Sequence, residues 1–369
     1  DAIYRAAGYR TGVYTSPHLL RYNERVRVAG RDADDDALCA AFERIDAARG
    51  EVSLTYFEWG TLAALDVFAA AGCEVLILEV GLGGRLDAVN AVDADVAILT
   101  SVDLDHQQFL GDTRDAIAAE KAAIARTGKP LIVTDPDPPA SVVDHAARCG
   151  ARLWRYGVDY AATASGTDGW TWACGDAHLA LPMPGLAGAV QRRNAASAVL
   201  AARLLAPRLP IDDAALAQGV RRASVGARFE RRGRDPEWVL DVAHNPEAAR
   251  NLAANLRAHP LPGRTIAVLG MLADKDAAGV LAPLARLIDV WHLASLDGPR
   301  GATAQQLAAP LTALGVTALH SHDDVAAACR AAQRSAGAGD RVLVFGSFHT
   351  VEQALRSHLL PAEAPPATL

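Results

Sequence analysis

Residues 73–84 read CEVLILEVGLGG, a continuous apolar run that closes on glycines and is typical of a strand buried on both faces of a parallel sheet. A second run of this kind, ADVAILTSVDLDH, occupies 94–106, and a third, KPLIVTD, occupies 129–135. Helical spacing fills the interval between the last two, in GDTRDAIAAEKAAIARTG. This alternation predicts an α/β fold in which helices flank a parallel sheet.

Changes of composition along the chain predict two domains. The 369 residues exceed what one ordinary domain needs. Tryptophans, tyrosines and glycines in 151–182 predict a small antiparallel insertion, and the charged stretch GARFERRGRDPEW at 226–238 predicts a boundary. We therefore expect one domain over 1–229 and a second α/β domain over 236–369, in which only the tail PAEAPPATL is expected to be disordered.

Composition excludes several classes of protein. Apolar residues make up 51% and charged residues 21%, which argues against a disordered or fibrous chain, and no run approaches the length of a membrane helix. The net charge of −7 argues against nucleic acid and favours small-molecule partners. Five scattered cysteines without a CxxC pair predict a protein of the reducing cytoplasm, with neither a zinc framework nor disulfides. We also expect a monomer.

Three polar residues follow predicted strands directly, at the positions where open parallel sheets bind ligands. Ser16 ends TGVYTS, Glu79 ends the strand in 73–84, and His106 lies just beyond the next strand. A hydroxyl, a carboxylate and an imidazole at one sheet edge predict a divalent cation site, with Mg²⁺ favoured. The alternative is structural: Ser16 caps a turn, Glu79 pairs with an arginine and His106 caps a loop.

Other motifs leave a chemical and a structural interpretation open. GLGGRLD at 81–87 is a turn that allows close backbone approach to a ligand, although such turns are common in structural roles. WVLDVAHNPEA places Asp241 and His244 before a helix, where they could face a nucleotide or cap the helix. Lys121 lies well inside a predicted helix, where a lysine usually faces solvent beside an acid such as Glu120.

Seven motifs, taken in order along nearly the whole chain, resemble the folylpolyglutamate synthase/dihydrofolate synthase family in its bifunctional bacterial type. They are YTSPHLLRYNERV, TYFEWGTLAAL, LEVGLGGRLDAVN, DHQQFLGDTRDAIAAEKAAI, RFERR…VLDVAHNPEAA, GMLADKD and VFGSFHTVEQAL. The resemblance implies a Mur-ligase-like fold, with a central parallel-sheet ATPase domain, a Rossmann-like C-terminal domain and an active site between them. It also implies an ATP- and Mg²⁺-dependent ligase, with two ions, that joins L-glutamate to dihydropteroate and to reduced folates through an acyl phosphate.

The resemblance assigns roles to individual residues. It makes Ser16, Glu79 and His106 metal ligands, and it matches Lys121 to a lysine that CO₂ carboxylates into an anionic metal ligand. Catalytic roles fall to Lys121, Arg228 and His244. Contacts to ATP fall to Asn194, Arg228, Asp241 and His244, and contacts to the pterin fall to Thr55, Tyr56, Phe57, Leu86, Asp87 and Ala88.

One element of the family is absent from this sequence. The family carries a phosphate-binding loop of the form GTNGKGS, whereas no GxxxxGK[ST] pattern occurs here, and TGKP at Lys129 lacks the leading glycine and the hydroxyl. We expect the loop, with the first pterin contacts, upstream of Asp1. Two alternatives stay open: a Mur-type ligase that adds an amino acid to a nucleotide-linked muramic acid, and a non-catalytic folate- or nucleotide-binding protein.

Overall fold

Two units make up the residues that the computed structural model describes, 1–166 and 169–362. The first unit comprises Asp1–Gly185 and Ala189–Ala223, and the second comprises Leu186–Gly188 together with the chain from Ser224 onward. Both are α/β, which confirms the predicted class. No helix in these described ranges is long and apolar enough to cross a membrane.

The strands of the first unit form three sheets. The first has the order β3-β2-β1-β4, the second is the parallel sheet β5-β6-β7, and the third is the antiparallel sheet β10-β9-β8. Their bounds are β1 Thr11–Tyr14, β2 Val26–Val28, β3 Arg31–Asp32, β4 Val75–Leu78, β5 Ala97–Leu99, β6 Pro130–Val133, β7 Arg152–Arg155, β8 Tyr160–Ser165, β9 Gly169–Cys174 and β10 Ala177–Pro182.

Four of the α-helices described in the first unit, α2, α3, α5 and α8, begin at a side-chain cap. Thr55 begins α3 in a reciprocal capping box with Glu58, and Thr113 caps α5 by accepting a hydrogen bond from the Ala116 N–H. The helices are α1 Ala2–Ala6, α2 Asp35–Arg49, α3 Tyr56–Ala70, α4 Gln107–Leu110, α5 Arg114–Ala122, α6 Ala140–Cys149, α7 Ala189–Leu205 and α8 Asp213–Arg222, with 3-10 helices at Tyr22–Arg25 and Ala88–Ala91.

The run at 73–84 forms a shorter and more exposed strand than its sequence predicts. Only β4 is strand, and its Leu76 is 43% exposed, so the expectation of burial on both faces is wrong. Within the described residues β4 pairs with β1 alone and lies at the edge of its sheet, which leaves one side of the strand uncovered. Val75 and Ile77 nevertheless pack into the core beside α7.

The antiparallel insertion also begins later than predicted. Residues 152–155 join β6 as a parallel strand, so the antiparallel part starts at Tyr160 rather than at 151. Its Trp170 and Trp172 are buried against α7, where the Trp172 indole N–H donates to the Ala196 carbonyl at 3.1 Å. The insertion therefore supplies core to the first unit. Its residues 167 and 168 lie outside the described ranges.

The second unit is a six-stranded sheet with helices between its parallel strands. Its order is β11-β12-β16-β13-β14-β15, and every pair is parallel except β11 with β12. The elements are β11 Glu230–Arg232, β12 Glu237–Leu240, α9 Pro246–Ala258, β13 Thr265–Leu269, α10 Ala277–Leu281, β14 Val290–Ala294, α11 Ala304–Ala313, β15 Leu319–His322, α12 Val325–Ser335, β16 Arg341–Phe345 and α13 Phe348–Arg356. Of the expected disordered tail, Glu363–Leu369 lies outside the described residues.

The predicted boundary at 226–238 differs from the structure. This stretch contains β11, an edge strand of the second sheet, and the second unit already begins at Ser224. Its charges belong to ion pairs of that edge, Arg231 with Glu237 and Arg232 with Glu230. Edge strands carry such charges because they blunt pairing with other chains, so this composition does not identify a linker.

Three histidines on neighbouring strands predict a loss of stability in acid. His292 is 4% exposed, its Nδ1 lies 2.9 Å from His322 Nε2, and its ring stacks on His320. Burial, followed by the two histidines and Arg334, lowers the pKa of His292 from 6.5 to about 4. The unfolded chain therefore takes up this proton first, so stability falls as the pH drops from 6.5 through 4, by at most about 3 kcal/mol.

Urea unfolding between pH 7 and pH 4, followed by circular dichroism, measures this effect. In His292→Phe the loss of stability over that interval should shrink by most of that amount. The exposed His358, changed to asparagine because its φ is +55°, serves as the control and should leave the pH dependence as it is. An identical pH dependence in the parent and His292→Phe would contradict the assignment.

Candidate active site

Ser16 and Glu79 meet at one edge of the first sheet. Because β1 and β4 are parallel and pair Tyr14 with Leu78, the residues that follow them leave the sheet side by side. The Glu79 N–H donates to the Tyr14 carbonyl, and the Ser16 N–H donates to Glu79 Oε2, both at 2.9 Å. Glu79 is exposed, so its carboxylate remains accessible to a ligand.

His106 lies on the loop that follows β5. Its φ of +53° is left-handed, and its Nε2 lies 3.9 Å from Asp105 Oδ1. The same loop is fixed further upstream, because Asp135 Oδ2 accepts from the Val102 N–H at 3.0 Å and Arg114 Nε donates to the Val102 carbonyl at 2.8 Å. The loop is thus held by hydrogen bonds to both the N–H and the carbonyl of Val102.

Over the residues with described positions, no three His, Cys, Asp or Glu side chains converge to hold a metal ion. The predicted ligand set contains only two side chains of these types, Glu79 and His106, together with a hydroxyl and a lysine. The adjacent Ser16 and Glu79 are the part of the set that fits a hard cation, because hydroxyl and carboxylate oxygens are the ligands that Mg²⁺ prefers.

The glycine turn after β4 docks on the helix that carries Lys121. The Arg85 N–H donates to the Glu120 carbonyl at 3.1 Å, and Arg85 Nε donates to the Glu120 carboxylate at 2.9 Å. A Cβ on Gly84 would lie 2.8 Å from the Glu120 carbonyl oxygen and 3.0 Å from that of Lys121. Only glycine fits there, and this contact brings the turn and Lys121 into one neighbourhood.

The residues predicted for the pterin divide into side chains that hold the backbone and side chains that are exposed to solvent. Asp87 accepts hydrogen bonds from the Gly81, Leu82 and Val89 N–H groups, and the Phe57 ring packs where a Gly81 Cβ would lie, at 2.6 Å. Both therefore shape the glycine turn, as Thr55 shapes the start of α3. Tyr56 and Leu86 are exposed by 63% and 81%, and Ala88 begins a 3-10 helix.

In the second unit, Asp241 lies just past the carboxyl end of β12. Its carboxylate accepts from the Phe229 N–H at 2.9 Å and the Ala243 N–H at 2.8 Å. Burial raises the pKa of Asp241 to about 6, against the opposing effects of these hydrogen bonds and of Arg228. The carboxylate therefore holds the 227–229 turn, on which Arg228 lies.

Phe348 joins two of the predicted nucleotide residues, and the sequence reasoning missed it. The Arg228 guanidinium lies 5.4 Å from the centroid of the Phe348 ring, and the His244 ring lies 6.4 Å from it. The available signal was its position in the strand-to-helix turn VFGSFHT, where it is the first residue of α13. His244 Nδ1 also lies 2.8 Å from the Val242 carbonyl, which orients the imidazole.

Asn194, the remaining predicted ATP contact, belongs to the first unit. It lies in the second turn of α7, and its Nδ2 donates to Gln191 Oε1 at 3.3 Å. Near it, the Ser197 hydroxyl is hydrogen-bonded at 2.7 Å to both Thr134 and Tyr160. Thr134 follows β6, so this buried hydroxyl cluster fixes α7 to the sheet.

Two family profiles match the chain. The Mur ligase middle domain matches residues 41–202, and the glutamate ligase domain of Mur ligases matches 227–348. A relative from Escherichia coli K12, dihydrofolate synthase/folylpolyglutamate synthase, is 48% identical over 358 residues, which cover 96% of this chain and 82% of that protein.

Solved structures agree with the sequence comparison. The Escherichia coli FolC complex with DHPP and ADP superposes with a TM-score of 0.91 at 47% identity, over 96% of this chain and 83% of that one. The bifunctional synthase of Yersinia pestis, complexed with AMPPNP and a Mn ion, superposes with a TM-score of 0.89 at 46% identity, over 96% and 84% of the two chains. The chain is therefore similar to these proteins in both sequence and fold.

Proposed function

The chain belongs to the dihydrofolate synthase/folylpolyglutamate synthase family of Mur ligases, and from that premise we propose which of its residues carry the reaction. It is an ATP-dependent ligase that joins L-glutamate to dihydropteroate and to reduced folates. The observation that carries this conclusion is identity of 48% across both units, with the predicted motifs in order. The same match disfavours a muramoyl-nucleotide ligase.

The reaction needs an activated acid, because a free carboxylate is a poor electrophile. We propose that an oxygen of the acceptor carboxylate attacks the γ-phosphorus of ATP, which forms an acyl phosphate and releases ADP. The amine of glutamate then attacks the acyl carbon, loses a proton and displaces inorganic phosphate, so that an amide bond forms. Such a reaction depends mainly on positioning and on neutralising phosphate charge.

For the metal, we propose Mg²⁺ ligands among Ser16, Glu79, His106 and Lys121. The hydrogen bond between Ser16 and Glu79 supports the first two, because it fixes a carboxylate beside a hydroxyl at the sheet edge. When bound, the metal supplies positive charge to the phosphate oxygens. The Yersinia pestis complex with AMPPNP and Mn supports a divalent ion in this family.

For the nucleotide, we propose Asn194, Arg228, Asp241 and His244. The planar guanidinium of Arg228 suits phosphate oxygens, and its stacking on Phe348 limits the conformations that it must give up on binding. Asp241 acts on Arg228 by holding the turn that carries it. His244 is oriented by the Val242 carbonyl, and its imidazole can hydrogen-bond to an oxygen of the nucleotide.

For the acceptor, we propose the surface formed by Tyr56, Leu86 and Ala88, with Thr55, Phe57 and Asp87 holding the backbone of the segments that carry it. The exposed ring of Tyr56 suits a flat heterocycle. The other three supply backbone order, since their side chains are committed to the glycine turn and to the cap of α3. All five cysteines are free, and we infer a reducing cytoplasm as the place of this reaction.

For Lys121, we propose carboxylation. The ammonium first loses a proton, and the neutral amine attacks CO₂, so that an N–C bond forms as one C–O π bond opens. Loss of a second proton leaves a carbamate anion with two ligand oxygens in place of the original cation. Lys121→Ala should lower the rate about 100-fold, as expected when a metal loses an anionic ligand, and added acetate should restore part of it. The measurement is initial rate with and without acetate.

Lys129 offers the matched control, because it pairs with Asp95 at the surface at 2.9 Å. Lys129→Ala should keep the parent rate and should not respond to acetate. A Lys121→Ala protein of parental rate would contradict a chemical role for this lysine. An inactive one that acetate does not rescue would contradict carboxylation in particular.

The function is tested by ATP-dependent incorporation of labelled glutamate on the complete natural gene product. Dihydropteroate, a reduced monoglutamyl folate and a muramoyl nucleotide are offered as separate acceptors. We expect incorporation into the first two alone. Incorporation only into the muramoyl nucleotide, or ATP-independent binding of folates with no incorporation at all, would contradict the proposal.

A further inference from the structure

The guanidinium of Arg25 is a buried positive charge for which the described residues supply no acidic partner. Arg25 ends the 3-10 helix Tyr22–Arg25 and is 9% exposed. Its Nε donates to His18 Nδ1 at 2.8 Å, and its Cζ lies 5.7 Å and 5.4 Å from the ring centroids of Tyr22 and Tyr56. No Asp or Glu in the described ranges forms an ion pair with it. Buried cations normally have an anionic partner, because an unpaired buried charge is costly.

Beside this guanidinium lies a phenol whose hydroxyl is also unsatisfied. The Tyr14 hydroxyl is buried and has no hydrogen-bond partner in the part of the chain that is described. Burial raises the pKa of Tyr14, and the neighbouring Thr61 and Arg25 side chains oppose that rise. The hydroxyls of Tyr14 and Tyr22 lie 2.6 Å and 2.7 Å from where a Gly60 Cβ would be. Both therefore face the part of α3 where Gly60 has no side chain.

Arg25 lies near both the proposed metal ligand Ser16 and the proposed acceptor surface. Its carbonyl accepts from the Thr15 N–H at 2.9 Å, one residue before the metal candidate Ser16. Tyr14, the residue on the other side of Thr15, packs on Phe57 with ring centroids 5.6 Å apart. The Arg25 backbone is therefore joined to the segment that leads to Ser16, and its guanidinium lies against Tyr56 of the proposed acceptor surface.

From this arrangement we propose that Arg25 binds the carboxylate of the acceptor substrate, with the Tyr14 hydroxyl as a second donor. This rests on the proposed function, since it names the group that recognises the acid of dihydropteroate. The planar fork of a guanidinium matches a carboxylate in two parallel hydrogen bonds. Aromatic rings that could contact the rings of the acceptor lie beside the guanidinium. Tyr22 and Tyr56 line a pocket of about 350 Å³ together with Phe42 and Trp59.

The proposal predicts a preference for acid over ester that depends on Arg25. Binding of dihydropteroate and of its methyl ester is measured by calorimetry without ATP, on the full natural chain. We expect the parent to bind the acid roughly 10-fold or more tightly than the ester, as a charge-assisted pair implies, and Arg25→Met to bind both within about 2-fold. Arg21→Met is the matched control, because Arg21 lies on the same segment and pairs with Asp35 at the surface; it should keep the parental preference.

If Arg25→Met fails to fold, Tyr14→Phe provides the test. The hydroxyl that this variant removes is buried and forms no hydrogen bond within the described residues, so we expect the fold to tolerate its loss. We expect Tyr14→Phe to weaken binding of the acid about 3-fold or more and to leave the ester unchanged. Equal weakening of acid and ester in either variant, or an undiminished preference in both, would overturn the proposal. A parent protein that binds neither compound would instead overturn the proposed function.

Discussion

Replacing Glu79 by glutamine is expected to lower the ligase rate by about 100- to 1,000-fold at limiting Mg²⁺. The change keeps the size of the side chain and an oxygen that can accept the hydrogen bond from the Ser16 N–H. It removes the negative charge of the carboxylate that we propose as a metal ligand at the sheet edge. Part of the rate should return when Mg²⁺ is raised, because affinity for the metal is what the variant loses. Initial rates measured against Mg²⁺ concentration test this directly.

Glu74 provides a matched control at the opposite end of the same strand. Its Oε2 accepts from the Arg10 N–H at 2.9 Å, just as Glu79 accepts from the Ser16 N–H at 2.9 Å. Glu74→Gln therefore makes the same chemical change in the same kind of hydrogen bond, remote from the carboxyl edge of the strand. It should keep the parental rate and Mg²⁺ dependence. Equal behaviour of the two variants would overturn the metal assignment.

Replacing Glu237 by glutamine is expected to destabilise the second unit by about 3 kcal/mol or more. Arg341 and Glu237 are buried on adjacent strands, β16 and β12, and Arg341 Nε donates to Glu237 at 2.7 Å. Arg341 also donates to the His259 carbonyl, which cannot neutralise its charge. Loss of the carboxylate leaves a buried cation uncompensated, whereas Arg231, the other partner of Glu237, can turn to solvent.

Two further proteins complete the stability test: the control variant Glu352→Gln and the double variant Glu237→Leu/Arg341→Met. Glu352 forms an exposed pair with Arg356, so its loss should cost less than about 0.5 kcal/mol. The double variant replaces both buried charges by apolar side chains and should recover most of the stability that Glu237→Gln loses. Hydrogen exchange of β12 and β16 amides is the measurement. A Glu237→Gln protein as protected as the Glu352→Gln protein would contradict the account.

Strand-end reasoning could place Ser16 beside Glu79 because it rests on a general property of parallel sheets. Residues after parallel strands leave the sheet at the same edge, whatever else the chain does. The same reasoning could not show that β4 has β1 as its one neighbour among the described strands. An apolar run reports how much surface a strand buries only if its neighbours are known, and the neighbours of β4 follow from topology, not from its own sequence.

A charged stretch does not by itself distinguish a linker from an edge strand. The stretch 226–238 looks like a linker by composition, yet Arg231 and Arg232 belong to an edge strand whose partners, Glu237 and Glu230, lie within a few residues. Phe348 and Arg25 were missed for a related reason. Their significance lies in stacking on side chains distant along the chain, and such contacts have no periodic signature in sequence.

The central claim is that ATP phosphorylates the acceptor carboxylate before glutamate displaces the phosphate, and oxygen transfer tests it most directly. Dihydropteroate with ¹⁸O in its carboxylate is converted by the complete natural protein with ATP and L-glutamate, and the released phosphate is analysed by mass spectrometry. An acyl phosphate requires one carboxylate oxygen to leave with the phosphate, so singly labelled phosphate is the predicted result. Phosphate free of ¹⁸O, released in step with amide formation, would contradict the account.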